Sequence, residues 1–265
     1  SPIKKCGPNL IAPTKCISAY KAMGIELLTL ANNHILDQGK KGLESSIKTL
    51  KEAGISYVGV GNSIREAHRP QIISCNGKRI GIYACVEHEF TVATGKESGA
   101  NPIDLLETPD HIVKLKKQCD YVIVLYHGGK EQYRYPSPNL QKTCRKLVEK
   151  GADLVVCQHS HCIGCKEEYL QGTIVYGQGN FLFDDEENEY WQTSLLIRIT
   201  DNFEVDYIPL KKNKNTVRLA KDDDAQNILE QFNLRSEEIL DQKKVCQHYD
   251  ELANYYKDYY LLSVM

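Results

Sequence analysis

Four of the chain's eight histidines stand just past the ends of short apolar runs, each with an amide or carboxylate side chain close by. Leu27-Leu28-Thr29-Leu30 runs into Ala31-Asn32-Asn33-His34, with Asp37 following. Tyr121-Val122-Ile123-Val124-Leu125-Tyr126 runs into His127-Gly128-Gly129, with Glu131 nearby. Leu154-Val155-Val156-Cys157 runs into Gln158-His159-Ser160-His161. Neutral imidazole is the commonest protein ligand for transition metals, and amide or carboxylate oxygens complete mixed sites for Mn, Fe or Zn. In an extended segment, residues two apart point the same way, so His159 and His161 can serve one metal cluster. One strand-end histidine is ordinarily a hydrogen-bonded residue and nothing more. Three such ends in one chain predict a metal centre built from Asn33, His34, His127, His159 and His161.

Such a centre needs elements that deliver loops to a common edge. Runs rich in β-branched residues at 26–30, 57–60, 80–85, 121–126, 154–157, 173–176 and 194–199 predict buried strands. Between them, Leu43, Ile47, Leu50 and Ala53 form one helical stripe, and Leu140, Cys144, Leu147 and Val148 form another. Gly24, Gly54 and Gly151 follow helical stretches and precede strands, as C-terminal caps should. This alternation predicts a layered α/β fold with helices packed on sheets, and in open α/β sheets ligands bind beyond the carboxyl ends of the strands. After about Ile208 strand signals fade, which predicts a main domain over residues 1–208 and a peripheral helical segment over 209–265. Its apolar contacts are expected to be Ile228, Leu229, Phe232 and Leu240.

Two further strand ends carry polar groups. Cys85-Val86 leads into Glu87-His88-Glu89, which reads equally as a crevice-facing cluster or a polar turn. Thr173-Ile174-Val175-Tyr176 leads into Gly177-Gln178-Gly179-Asn180-Phe181-Leu182-Phe183-Asp184, where glycine permits close backbone approach. Gly177 itself reads as an ordinary tight turn. Cys162 and Cys165 form one Cys-x-x-Cys without the second pair a structural zinc site needs. Gly59-Val60-Gly61-Asn62 is half a glycine fingerprint, and neither a P-loop nor a complete dinucleotide motif occurs.

Composition excludes several classes. A net charge of −2 gives no positive field for nucleic acid, and the run Lys211-Lys212-Asn213-Lys214 reads as a solvated loop. The 265 residues contain no apolar run near the roughly 20 residues that span a bilayer, so a soluble chain without membrane insertion is expected. The ten cysteines are scattered, several within apolar segments such as Cys85, Cys144 and Cys157, and read as buried thiols of a reducing compartment. Ser1-Pro2-Ile3-Lys4-Lys5 lacks an initiator Met and leads into no signal sequence. The expected location is cytoplasmic, or membrane-associated through partners or a preceding segment.

Taken together and in order, four motifs between roughly residues 15 and 199 carry a resemblance. Leu30 to Gly39, His127-Gly128-Gly129-Lys130-Glu131, Gly151 to His161, and Tyr176 to Asp184 resemble the CapA-type proteins of bacterial capsule and poly-γ-glutamate synthesis. That family is related to the calcineurin-like metallophosphoesterases. The resemblance implies a metallophosphatase-like fold in which Asn33 and His34 match the Asn-His motif, His127 the central histidine, and His159 and His161 the terminal His-x-His. It implies divalent metal ions, Mn, Fe or Zn, that clamp a phosphate and activate hydroxide. It also implies a catalytic set of His127, Glu131 and Asp37, the two carboxylates orienting ligands or facing substrate. The substrate would be a phosphorylated small molecule or a polyanionic polymer, and a membrane polymer synthase or export complex the partner. Before Leu27 the chain carries neither the Gly-Asp motif of the family's first strand nor its Asn-Leu-Glu segment, and Gln158 stands where glycine is common. The first family strand is therefore expected to be missing. Two classes stay open: a metal-dependent hydrolase, and a non-catalytic binding subunit that keeps the fold without a complete metal centre.

Overall fold

The computed structural model describes residues 2–5, 7–87, 91–183, 188–214 and 216–264, with side chains to residue 257. The chain folds into two compact units, one comprising 1–127 with 150–152 and the other 128–149 with 153–265. Glu87-His88-Glu89 falls largely outside the described residues, as does Asp184.

In the first unit, helix α1 (Ile17–Ala22) precedes strand β1 (Leu27–Thr29), helix α2 (Gly39–Ala53) and strand β2 (Ser56–Val58). β1 and β2 pair in parallel. Leu43 and Leu50 of the predicted stripe are buried, and Gly54 closes α2 in the left-handed conformation, φ 75°. Strand β3 (Val60–Gly61), helix α3 (Ile64–Ala67), strand β4 (Gln71–Cys75), strand β5 (Lys78–Val86), strand β6 (Gly99–Ala100), helix α4 (Thr108–Lys116) and strand β7 (Tyr121–His127) follow. β4 and β5 form a hairpin across Asn76-Gly77, both at positive φ as this tight turn demands. β5 and β7 run parallel, and their register sets Val86 opposite His127. The core gathers Ala31, Leu43, Val58, Val60, Ile82, Ala84, Val86 and Ala100. Gly59, half of the incomplete fingerprint, is a packing glycine. A Cβ there would lie 2.7 Å from Ala31 Cβ and 2.9 Å from Ala84 Cβ, so its absence lets the Ala31 strand end close onto β5.

The second unit opens with helix α5 (Pro138–Glu149), strand β8 (Leu154–Gln158), strand β9 (Lys166–Tyr169) and strand β10 (Gly172–Val175). β8 and β10 are parallel and β9 closes against β10 antiparallel. The whole predicted α5 stripe is buried: Leu140, Cys144, Leu147 and Val148. Strand β11 (Thr193–Ile199), strand β12 (Val205–Asn213) and strand β13 (Thr216–Leu219) form an antiparallel sheet. Helices α6 (Asp222–Glu238) and α7 (Gln242–Val264) complete the unit. Among the described residues no helix is long and apolar enough to cross a membrane.

The fold is mixed α/β, with sheets flanked by helices, as the alternating pattern predicts. The expected fading of strand after residue 208 does not hold, because β12 continues to Asn213 and β13 follows. β12 mixes Asp206, Pro209, Lys211 and Lys212 into its apolar residues and three of the four β13 residues are exposed, so neither presents the continuous apolar run of a buried strand. Ile228 and Phe232 do pack inward, against Ile163 and Leu195, but Leu240 is 68% exposed and Ile239 takes the buried position beside it. Cys85, Cys144 and Cys157 are buried thiols.

Candidate metal centre

In the first unit, the turn after β1 presents Asn33 and His34, and β7 ends on His127. Asn33 Oδ1 lies 3.1 Å from His127 Nε2, so two of the predicted ligands meet. Glu87 donates its backbone N–H to the His127 carbonyl, which anchors the strand end. His34 is held on its other side. Its Nδ1 lies 2.7 Å from Asp37 Oδ2 and 3.0 Å from Lys5 Nζ, and Lys5 closes an ion pair onto Asp37 Oδ1 at 2.5 Å. The backbone N–H of Leu10 donates to Asp37 Oδ2 at 2.7 Å. Asp37 is 1% exposed and stands against the His34 imidazole. Burial pushes its carboxyl upward, yet the bonds from Lys5, Leu10 and His34 outweigh this and hold it below the usual carboxylate range. Lys5 left no signal at the sequence level, since a lysine before the first strand is ordinarily solvated.

In the second unit, the loop after β8 carries His159 and His161, and the segment after His127 carries Glu131. One ligand atom from each of Glu131, His159 and His161 lies within 4.8 Å of the others, and His159 Nε2 is 3.9 Å from Glu131 Oε1. Two donors at about 2.1 Å from one metal ion stand at most about 4.2 Å apart, so this pair already fits a shared divalent cation. Two nitrogens and a carboxylate oxygen suit Zn, Mn or Fe. Glu131 thus joins the histidines as a candidate ligand, beyond the role read from sequence.

The loop holds a costly backbone. His159 has φ 101° and His161 φ 59°, the left-handed region that non-glycine residues avoid at about 1–3 kcal/mol each. Several contacts force it. Ser160 accepts at its carbonyl from Gln132 N–H at 2.7 Å, and the Gln158 carbonyl accepts from Gly128 N–H at 2.9 Å. Gly177, at φ 126°, lies under the loop: a Cβ there would stand 2.7 Å from Ser160 Oγ and 2.8 Å from the Cys162 carbonyl. Its role is therefore close approach and not merely a turn. Beyond the loop, buried Arg235 of α6 donates to the Gly164 and Ile163 carbonyls at 2.8 and 3.4 Å. Burial and the neighbouring Arg134 bring its pKa down to about 10.

His161 is boxed on three sides. Its Nδ1 is 2.9 Å from Asn180 Oδ1, and the rings of Trp191 and Phe183 lie 4.9 and 5.3 Å from its own. In the sequence the segment around Asn180 stands out only by its glycines, and Trp191 carries no signal. Asn180 could have been found from the strand end at Tyr176, which resembles the other three in delivering a polar side chain just past an apolar run. Cys162 and Cys165 are fully buried thiols pushed up by burial and lie outside the candidate cluster.

Comparison with known proteins agrees with the motifs. The family model described as bacterial capsule synthesis protein PGA_cap matches residues 1–185. The chain is 34% identical over 182 residues to a capsule biosynthesis protein CapA of Bacillus anthracis, covering 66% of this chain and 44% of that protein. It is 29% identical over 171 residues to a PGA biosynthesis protein CapA of Bacillus subtilis (strain 168), covering 63% and 45%. A probable polyglutamine synthesis accessory protein of Mycobacterium tuberculosis is 29% identical over 185 residues, covering 64% and 48%. The chain thus spans about half the length of the curated relatives it matches. Among solved structures, a 5'-nucleotidase precursor from Thermus thermophilus aligns with TM-score 0.45 and 15% identity over 82% of this chain and 44% of that one.

Proposed function

Because this chain belongs to the bacterial capsule synthesis protein family PGA_cap, we propose that it serves capsule or poly-γ-glutamate synthesis through a metal-dependent, phosphoesterase-type hydrolytic site. The observation that carries this reading is the convergence of Glu131, His159 and His161 within 4.8 Å. In this reading those three hold one divalent cation, and Asn33, His34 and His127 are the ligands of the first unit. A bound cation supplies Lewis-acid polarisation of a phosphoryl oxygen and a water of lowered pKa. The chain's own residues do the rest. Asp37, tied to Lys5, orients His34, and Asn33 Oδ1 and His127 Nε2 stand side by side as first-unit donors. The substrate is a phosphorylated or polyanionic molecule of capsule synthesis, and the partner a membrane polymer synthase or export complex.

The test is metal analysis of purified chain after chelation and reconstitution with Mn, Fe or Zn, joined to hydrolysis of a simple phosphodiester. We expect bound divalent ion, hydrolysis, and loss of both hydrolysis and metal in His159→Ala, with hydrolysis also lost in His127→Ala. Removing one ligand should lower metal affinity by more than the roughly 10–100-fold that an outer-shell change costs. Absence of bound metal after reconstitution would overturn this reading in favour of a non-catalytic subunit.

A further inference from the structure

We propose that Asn180 is a positioning residue that fixes the tautomer of His161, keeping the Nε2 lone pair available for a divalent cation. The proposal rests on the metal-binding reading above and assigns a role to a residue outside the ligand set. An amide oxygen only accepts, so the 2.9 Å contact between Asn180 Oδ1 and His161 Nδ1 places the ring hydrogen on Nδ1. A neutral imidazole protonated there carries its lone pair on Nε2.

The surroundings argue that this contact is what Asn180 is for. Asn180 is 8% exposed and its Nδ2 has no partner among the described residues. Burying an unpaired amide donor costs stability that an apolar residue of similar size would not incur. The bond to His161 is the return on that cost. Both ends of the contact are also fixed. Gly179, at φ 80°, lies where a Cβ would meet the Thr193 carbonyl at 2.7 Å and Ser194 Cα at 3.0 Å, which seats the Asn180 segment on β11. His161 is confined by Trp191 and Phe183, whose rings stand 5.1 Å apart edge to face. With these rings lining His161, the acceptor opposite Nδ1 selects which nitrogen keeps its lone pair for the cation.

The experiment compares zinc affinity, by competition with a chromophoric chelator, in wild type, Asn180→Leu and Asn180→Asp. It adds imidazole nitrogen chemical shifts of His161 in the metal-free chain. The metal-free wild type should show the Nδ1–H form. Asn180→Leu should bind zinc about 10–100-fold more weakly, the usual cost of losing an outer-shell partner, and should shift His161 toward Nε2–H. Asn180→Asp keeps an acceptor in place and should restore both readouts. An Nε2–H tautomer in the wild type overturns the proposal, with no variant needed. So does an Asn180→Leu affinity within about twofold of wild type, well short of an outer-shell effect. Undiminished zinc binding in His161→Ala would instead sink the metal reading, while the nitrogen shifts still decide the tautomer.

Discussion

The two sets of predicted ligands are held in place by different physics. In the first unit the means are electrostatic: a buried carboxylate, Asp37, gathers a lysine, an imidazole and a backbone N–H around His34. In the second they are steric and neutral: left-handed histidines, a glycine pressed under their loop, an amide on Nδ1 and two aromatic rings around His161. An ion-pair clamp is strong only while both partners stay charged and dry. A packed clamp is indifferent to charge but intolerant of added volume. The two regions should therefore fail under different perturbations.

The largest effect is expected where the electrostatic clamp is cut. Lys5 and Asp37 side chains are 5% and 1% exposed, so Asp37→Ala strands a buried cation, a change that costs about 3–5 kcal/mol. Chemical denaturation of the metal-free chain measures it. A loss below about 1 kcal/mol would mean the pair behaves as a solvated one and the contrast between units collapses. The sign of the pH dependence follows from the lowered Asp37 carboxyl. Its contribution is fully present above the ordinary carboxylate range and disappears as pH falls through the lower folded value. Wild type should therefore lose more stability than Asp37→Asn between about pH 5 and about pH 2.

How much of this was legible in the sequence follows the same division. Strand ends were readable because β1, β7 and β8 are nearly uniform in apolar residues, and the helices because Leu43, Leu50, Leu140 and Leu147 repeat at helical spacing. β4, with four of its five residues exposed, has no such signature and went unread. So did β12 and β13, whose partly exposed faces mix charge with apolar residues. In the site, metal-capable residue types announce themselves, whereas the residues that hold them do not. Lys5 reaches His34 across 29 residues of chain and Asn180 reaches His161 across 19, and no local spacing encodes such a pairing. Gly177 was misread for a related reason, because positive φ and close approach leave the same letter in the sequence.

The packed clamp should break on volume. Gly177→Ala adds a methyl 2.7 Å from Ser160 Oγ at a φ of 126°, so overpacking and backbone strain combine to about 2–3 kcal/mol. Thermal melting reports the loss, and zinc binding should fall with it, because the displaced Ser160 lies between His159 and His161. A variant that melts like wild type would show that the loop yields, and the steric half of the comparison would fall.

The smallest effect sharpens the comparison most, because it separates confinement of a ligand from its chemistry. Trp191 lies 4.9 Å from His161 at 30° between ring planes and touches Phe183 edge to face. Trp191→Leu keeps an apolar wall but removes the ring contacts, which are worth about 0.5–1.5 kcal/mol beyond area. If rigidity of His161 supports metal binding, zinc affinity should fall about 2–10-fold, the same energy expressed as an equilibrium constant. The pH dependence of stability should match wild type, because the change touches none of the charges around Asp37. Equal zinc affinity with lowered stability would assign Trp191 to the scaffold alone, leaving the orientation of His161 to its contact with Asn180.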